Sequence, residues 1–416
     1  MRAIPINKGW LGKSLLGAAA ALGLAGVVHA AEPIPVAVTA NESSPVGRAI
    51  FQGAELAVDE INAAGGVNGR KIHIDKYDNH ASSADAVRGF QRATRQAHDV
   101  AVVGDYISEV ALALEPWAAR LKEPYIITGA ASSKITDVIH DHPRADKYIF
   151  QNTFNSIFWA KSVCGYARDI LAKQLGYKSA VIVSENAAWT KPLDAEYEKC
   201  LPKAGLKVAH KIQFSPDTND FTPIFNKAES YNADVMIVGL AHTGVKPTVQ
   251  WHQQQVPMLM AGMNVQAQAG GFWKATNGAT EGVITVDLGA TKASLTPKTQ
   301  HFVKAYVKRF GENPAFDAYT SYDAMYVLEQ AIERAGSTKG AAIADALEKT
   351  HYEGTIGRIA FYGMDHQFPH AMKFGPDYVT GVAVQWQNGS QEAIWPKAAA
   401  SASVQVPAFV KKGGSD

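Results

Sequence analysis

The chain has 416 residues with 47% hydrophobic side chains, more than one ordinary core requires, so two lobes of ordinary domain size are expected. Lys and Arg number 40 against 39 Asp and Glu, with no long run of either sign, so there is no electrostatic footprint for a polyanion and nucleic acid is excluded as a partner.

Residues 1–30 carry Arg2, Lys8 and Lys13, then an apolar run from Leu15 to Val28, and end in Val28-His29-Ala30. That order is the pattern of a secretory signal cleaved after Ala30, which places the mature protein in the periplasm as an expectation and takes the formal net charge from +1 to −2. No other apolar run approaches the ~18 residues that a membrane-spanning helix needs. No cysteine stands at the cleavage site to carry a lipid anchor. The two cysteines, Cys164 and Cys200, would lie in an oxidising compartment, where an even pair is more often bridged than free; the alternative is two buried thiols held too far apart.

Residues 34–40 read as a buried strand, and Asn41 to Arg48 as a polar loop. From Ala49 the apolar positions Ile50, Ala54, Ala57, Val58 and Ile61 recur at helical spacing until Gly65-Gly66 ends the helix. Asn68-Gly69 predicts a tight turn and Ile72 to Tyr77 a strand. A helix over 85–97, a strand over 100–103, a helix over 110–121 and a strand over 125–128 follow, and after a strand at 148–152 the alternation restarts. Its members are helix 159–175, strand 179–184, helix 194–202, strand 207–214, helix 221–231, strand 235–239, helix 246–255 and strand 258–261. Unbroken alternation predicts α/β lobes built on parallel sheets, whose ligands sit beyond the carboxyl ends of the strands. A strand at 283–286 leads into helices at 298–310, 316–335 and 339–348, and residues 357–395 read as short strands.

The stretch from Val100 to Thr136 contains two strand-to-helix corners side by side. The first N–H groups of a helix have no intrahelical partner, so adjacent helix starts flanked by Ser108 and Ser132 form a cradle suited to a carboxylate. Tyr106, two residues before Ser108, then faces the cleft or is an amphipathic loop residue with its hydroxyl in water. Arg48 could meet an anionic ligand, the plainer reading being a solvated surface arginine. Phe154 could line the cleft, whereas helical packing accounts for Phe158 and Trp159. Gly65-Gly-Val-Asn-Gly follows a helix and lacks the spacing of a phosphate loop, so turn chemistry is the better reading. No nucleophile elbow exposes Ser108 or Ser132, and neither His140-Asp-His142 nor the 365–370 histidines have metal-ligand spacing. The chain is therefore read as a binding protein and not an enzyme, with no metal and no cofactor.

The run from Gly53 to Ile72, then Tyr77-Asp78-Asn79, Val103-Gly104 with Ser108 four residues on, and Ala130-Ala131-Ser132 before Ile135-Thr136 resemble the leucine/isoleucine/valine-type periplasmic binding proteins of ATP-driven (ABC) import systems. The resemblance covers about residues 34–390. It implies the type I fold, two lobes joined by three crossovers, with lobe one at 33–155 and 287–363, lobe two at 156–286 and 364–396, and a C-terminal tail at 397–416. A monomer that closes on a small molecule and passes it to a membrane permease is expected, a ligand sensor being the rival role. By position, Ser108, Ala130 and Ser132 match the family's carboxylate-binding donors and Trp189 an aromatic wall. Ser156 and Asn264 stand where amino-acid binders of the family place carboxylates, and Leu240 or a neighbour stands where a tyrosine is usual. With no anion found for an α-ammonium, a hydrophobic or aromatic carboxylic acid is the expected ligand, the alternative being a branched-chain amino acid or amide.

Overall fold

The computed structural model describes residues 32–413, so the signal sequence read at residues 1–30 lies outside the described residues. Strand β1 (Ile34–Ala40) is buried along nearly its whole length. Helix α1 (Pro45–Ala63) begins four residues earlier than its apolar periodicity indicates, because Ser44 caps it by accepting from the Gly47 N–H at 3.0 Å and Pro45 pre-sets the first turn. Arg48 is therefore on the first turn of a helix and not in a loop. The chain continues through β2 (Ile72–Asp78), α2 (Ser83–Arg92), β3 (Val102–Gly104), α3 (Ser108–Leu121), β4 (Tyr125–Ile127), α4 (Lys134–Asp141) and β5 (Ile149–Gln151). Asn68 and Gly69, with φ of 50° and 79°, form the tight turn before β2.

These strands form one parallel sheet in the order β2-β1-β3-β4-β5. The second sheet is assembled from α5 (Ser156–Tyr166), β6 (Ser179–Glu185), α6 (Thr190–Cys200), β7 (Lys207–Phe214), α7 (Thr222–Ser230), β8 (Val235–Leu240), α8 (Val245–Gln253) and β9 (Leu259–Asn264). It is also parallel, in the order β7-β6-β8-β9. The two sheets repeat one topology: chain order reverses between β1 and β3 in the first and between β6 and β8 in the second. Crevices open at such switch points, beyond the carboxyl ends of the strands.

After a short helix α9 (Phe272–Ala275), β10 (Ile284–Asp287) carries the chain back, and α10 (Thr299–Phe310), α11 (Phe316–Ala335) and α12 (Gly340–Leu347) follow. Helix α11 packs on α1, so closely that a methyl group on Gly53 would overlap the Ala318 carbonyl and the Ser321 hydroxyl. The buried face of α1 holds Ile50, Phe51, Leu56, Val58 and Ile61, each worth about 1.5–3 kcal/mol on burial, which ties residues 299–335 to the first sheet. A two-stranded ladder, β11 (Tyr352–Glu353) and β12 (Arg358–Ile359), precedes β13 (Val382–Gln387) and β14 (Ser390–Trp395), which pair antiparallel with each other while β13 pairs with β10.

The last crossover differs from the expected position at 363. Residues 364–379 stay with the first sheet: Gln151 donates its N–H to the His370 carbonyl, Met372 donates to the Gln151 carbonyl, and His370 stacks on Phe150 with ring centroids 4.1 Å apart. The return falls near Thr380, where Ser162 of α5 bonds the backbone. His370 is thus buried structure. The tail is also held, with Lys411 bonded to the Pro257 carbonyl at 3.0 Å and Phe409 against Trp251 at 5.0 Å. Cys164 and Cys200 are joined, with Cα atoms 5.9 Å apart, linking α5 to α6.

Candidate ligand site

Both switch points open onto one cavity of about 600 Å³ between the lobes, within the ~300–1,000 Å³ of small-molecule sites. The first sheet contributes Ser44 and Arg48 from the start of α1 and Tyr106 to Ser108 from the β3–α3 corner. That corner needs a glycine at its head: Gly104 has φ +138°, and a side chain there would overlap the Thr39 carbonyl. Tyr106 donates its hydroxyl to Ser44 Oγ at 3.0 Å, tying the two sides of the first switch point together; burial pushes its phenol above the ordinary value. Ser108 is buried and its Oγ accepts from the Ser132 N–H at 3.1 Å, which leaves the hydroxyl proton for a ligand.

The second sheet answers with Glu185 at the end of β6 and residues 241–245 after β8. Glu185 is fully buried and accepts from Trp189 Nε1 at 3.0 Å, from the Ala241 and His242 N–H groups at 3.0 Å, and from His242 Nδ1 at 2.6 Å. Trp189 and His242, so held, both line the cavity. The Glu185 hydrogen bond raises the His242 pKa above its ordinary value against an opposing effect of burial, and the charges of Glu185, Glu109 and Asp217 raise it further. Across the cleft, the Ala188 N–H donates to Glu109 Oε1 at 3.2 Å, so the two lobes are in contact beside this pair. Met263, Val265, Phe272 and Phe316 complete an apolar interior, and Glu312 and Asn313 are exposed at the rim.

Of the residues singled out in the sequence, Ser108, Tyr106, Trp189 and Arg48 line the cavity, Arg48 with an exposed side chain. Five do not, and each is occupied by its own backbone or core. The Ala130 N–H is already given to the Asp105 carbonyl at 3.1 Å, and the neighbours Gly129 and Ala131 line the wall instead. Ser132 stands behind Ser108, fully buried, with its Oγ accepting from the Lys134 N–H at 3.3 Å. Ser156 bonds the Ala131 carbonyl at 2.7 Å, and Asn264 caps the following turn through the Ala267 N–H at 3.3 Å. Phe154 packs into an aromatic group with Trp159 at 5.3 Å and Phe374 at 5.4 Å. The sequence reading missed His242 and Glu312. His242 follows β8 directly and was open to the same carboxyl-end rule that picked out Ser108, whereas the loop carrying Glu312 has no local signal.

A buried carboxyl lies just behind the site. Asp317 is fully buried with neither oxygen partnered among the described residues, and burial first, then the charge of Asp287, pushes its pKa far above the carboxylate range. It packs against Gly129 of the cavity wall, where burial disfavours its charged form. Among the described residues there is no group of three or more His, Cys, Asp or Glu side chains able to hold a metal, and no helix long and apolar enough to cross a membrane.

Two parallel-sheet lobes with a cavity between their switch points define a bilobed binding protein of type I fold. The family model described as periplasmic binding protein matches residues 33–376, and the chain belongs to that family. It is a family of substrate-binding transport proteins and not of enzymes. A curated relative, the "Leu/Ile/Val-binding protein homolog 7" of Brucella suis biovar 1, is 25% identical over 95% of this chain and 99% of its own length. Among solved structures, the branched-chain amino acid transporter substrate-binding protein LivJ of Streptococcus pneumoniae, in complex with isoleucine, has a TM-score of 0.75 at 23% identity, covering 87% of this chain and 98% of that one. A solute-binding protein of an R. palustris ABC transporter, in complex with benzoate, has a TM-score of 0.72 at 17% identity, covering 91% and 99%.

Proposed function

We propose that the protein is an exported solute-binding component of an ABC import system that captures a small carboxylic acid with an apolar body and delivers it to the membrane permease. The observation that carries this reading is the pairing, in one apolar cavity, of the Ser108 helix start on one lobe with His242 on the other. Both offer hydrogen-bond donors to an oxyanion, and the Trp189, Phe272 and Phe316 walls suit what is attached to it.

Within that class the preferred ligand is a branched-chain amino acid. The expectation of an aromatic acid rested on finding no carboxylate in the cleft, and Glu312, exposed at the rim, supports the amino-acid reading as an anion for an α-ammonium. The relatives' names point the same way. Aromatic acids remain the second reading, supported by the benzoate complex of a protein with the same fold and by the flat walls of the cavity. Titration calorimetry with L-leucine, L-isoleucine, L-valine and benzoate tests the reading. Stoichiometric binding of at least one amino acid more tightly than benzoate is expected; tighter binding of benzoate would move the assignment to aromatic acids, and no binding of any of the four would remove the acid reading.

A further inference from the structure

Glu185 and His242 meet at the switch point of the second sheet, beside Trp189. A carboxylate only accepts hydrogen bonds, so a ring nitrogen 2.6 Å from Glu185 Oε1 must carry a proton, and His242 Nδ1 is the donor. The tautomer is thereby set, and Nε2 on the opposite edge of the ring has no hydrogen-bond partner among the described residues. His242 lines the cavity with its side chain 40% exposed, while Glu185 behind it is fully buried. The same carboxylate holds Trp189 Nε1, so one buried group positions both a flat wall and a polar contact.

We propose that His242 is the second lobe's contact for the ligand carboxylate, facing Ser108 across the cleft, and that Glu185 is its positioning residue. The inference rests on the acid reading above and deepens it. With one proton the ring presents a lone pair at Nε2, which repels a carboxylate; with two it presents an N–H and a positive charge. Acid binding must then require the doubly protonated ring. Glu185 from β6, Glu109 from α3 and Asp217 from the β7–α7 loop all favour that state, and Lys246 on α8 is engaged with Asn219. The raised pKa extends it above the ordinary imidazole range, and acid affinity falls as pH rises through the folded-state value.

The test compares L-leucine with L-leucinamide and benzoate with benzamide by calorimetry from pH 6 to 9, using the full mature chain. In the wild type the acid of a pair should bind more tightly than its amide at pH 6, and the preference should shrink toward pH 9. His242→Gln should lower acid affinity roughly 10- to 150-fold, as expected for losing a charged hydrogen bond, leave the amide little changed and flatten the pH profile. Glu185→Gln keeps an acceptor for the backbone N–H groups and should move the midpoint of the profile to lower pH, a change that loss of packing alone would not cause. The wild-type profile needs no variant, so a variant that fails to fold leaves the test standing. An acid preference that persists in His242→Gln, or a wild-type acid affinity independent of pH, overturns the inference while leaving the acid reading intact. If neither acid binds the wild type, the acid reading fails and this inference falls with it.

Discussion

Replacing Ser108 by alanine should produce two separable losses. Its Oγ is the acceptor for the Ser132 N–H at 3.1 Å, and Ser132 is fully buried, so the substitution leaves a backbone donor without a partner or water. That costs about 1–3 kcal/mol of folding stability. The hydroxyl proton is the group left for a ligand carboxylate, and losing a hydrogen bond to a charged acceptor is worth about 1.5–3 kcal/mol, or roughly 10- to 150-fold in affinity. Ser132→Ala is the control. Among the described residues its Oγ makes only the 3.3 Å contact from the Lys134 N–H and does not line the cavity, so affinity should change less than about threefold. Urea denaturation of the ligand-free proteins measures the first loss and calorimetry with the tightest-binding acid the second. Equal affinity losses in the two variants would show that the cradle extends to Ser132. An unchanged affinity in Ser108→Ala, with stability lost, would make Ser108 a backbone anchor and nothing more.

Glu312→Gln should weaken L-leucine by about two- to fivefold, the range of an exposed ion pair, and leave benzoate unaffected; equal effects on both ligands in calorimetry would remove Glu312 from ammonium recognition. Removing the Cys164–Cys200 bridge, which closes a 36-residue separation, should cost about 3–4 kcal/mol on the chain-entropy model, read by denaturation of the double serine variant; alkylation of both thiols under denaturing, non-reducing conditions would show that no bridge forms. Glu115 is buried with its pKa pushed up to about 9, first by burial and then by Asp146 and Asp137. Its folded value lies above its unfolded one, so its contribution to stability is fully present below about pH 4.3 and is lost as pH rises through the folded value. Glu115→Gln should therefore raise Tm relative to the wild type more at pH 8 than at pH 4, and a Tm difference independent of pH would contradict the assignment.

The lobes were legible because buried parallel strands and amphipathic helices differ in period, and nothing interrupts their alternation from β1 to β9. Helix starts were less so: α1 begins at Pro45 and α5 at Ser156, each set by a cap, Ser44 or Asn155, that periodicity alone does not register. The same physics explains the five residues that stand away from the cavity. Polar side chains at strand-to-helix corners are first needed by the chain itself, as Asn264 caps its turn and Ser156 holds the Ala131 carbonyl. Which hydroxyl is left for a ligand depends on register between neighbouring corners, and that register is a tertiary property. His242 and Glu185 lie 57 residues apart and become a pair only when β6 and β8 align side by side. The late third crossover has a similar origin, since His370 stacks on Phe150 across more than 200 residues of chain.

The most direct measurement is the crystal structure of the protein with the acid that binds most tightly in calorimetry. The ligand carboxylate should lie within hydrogen-bonding distance, about 2.6–3.1 Å, of both Ser108 Oγ and His242 Nε2, with its apolar body against Trp189, Phe272 and Phe316. A ligand seated outside the cavity, or one inside it with its carboxylate turned away from both side chains, would contradict that arrangement.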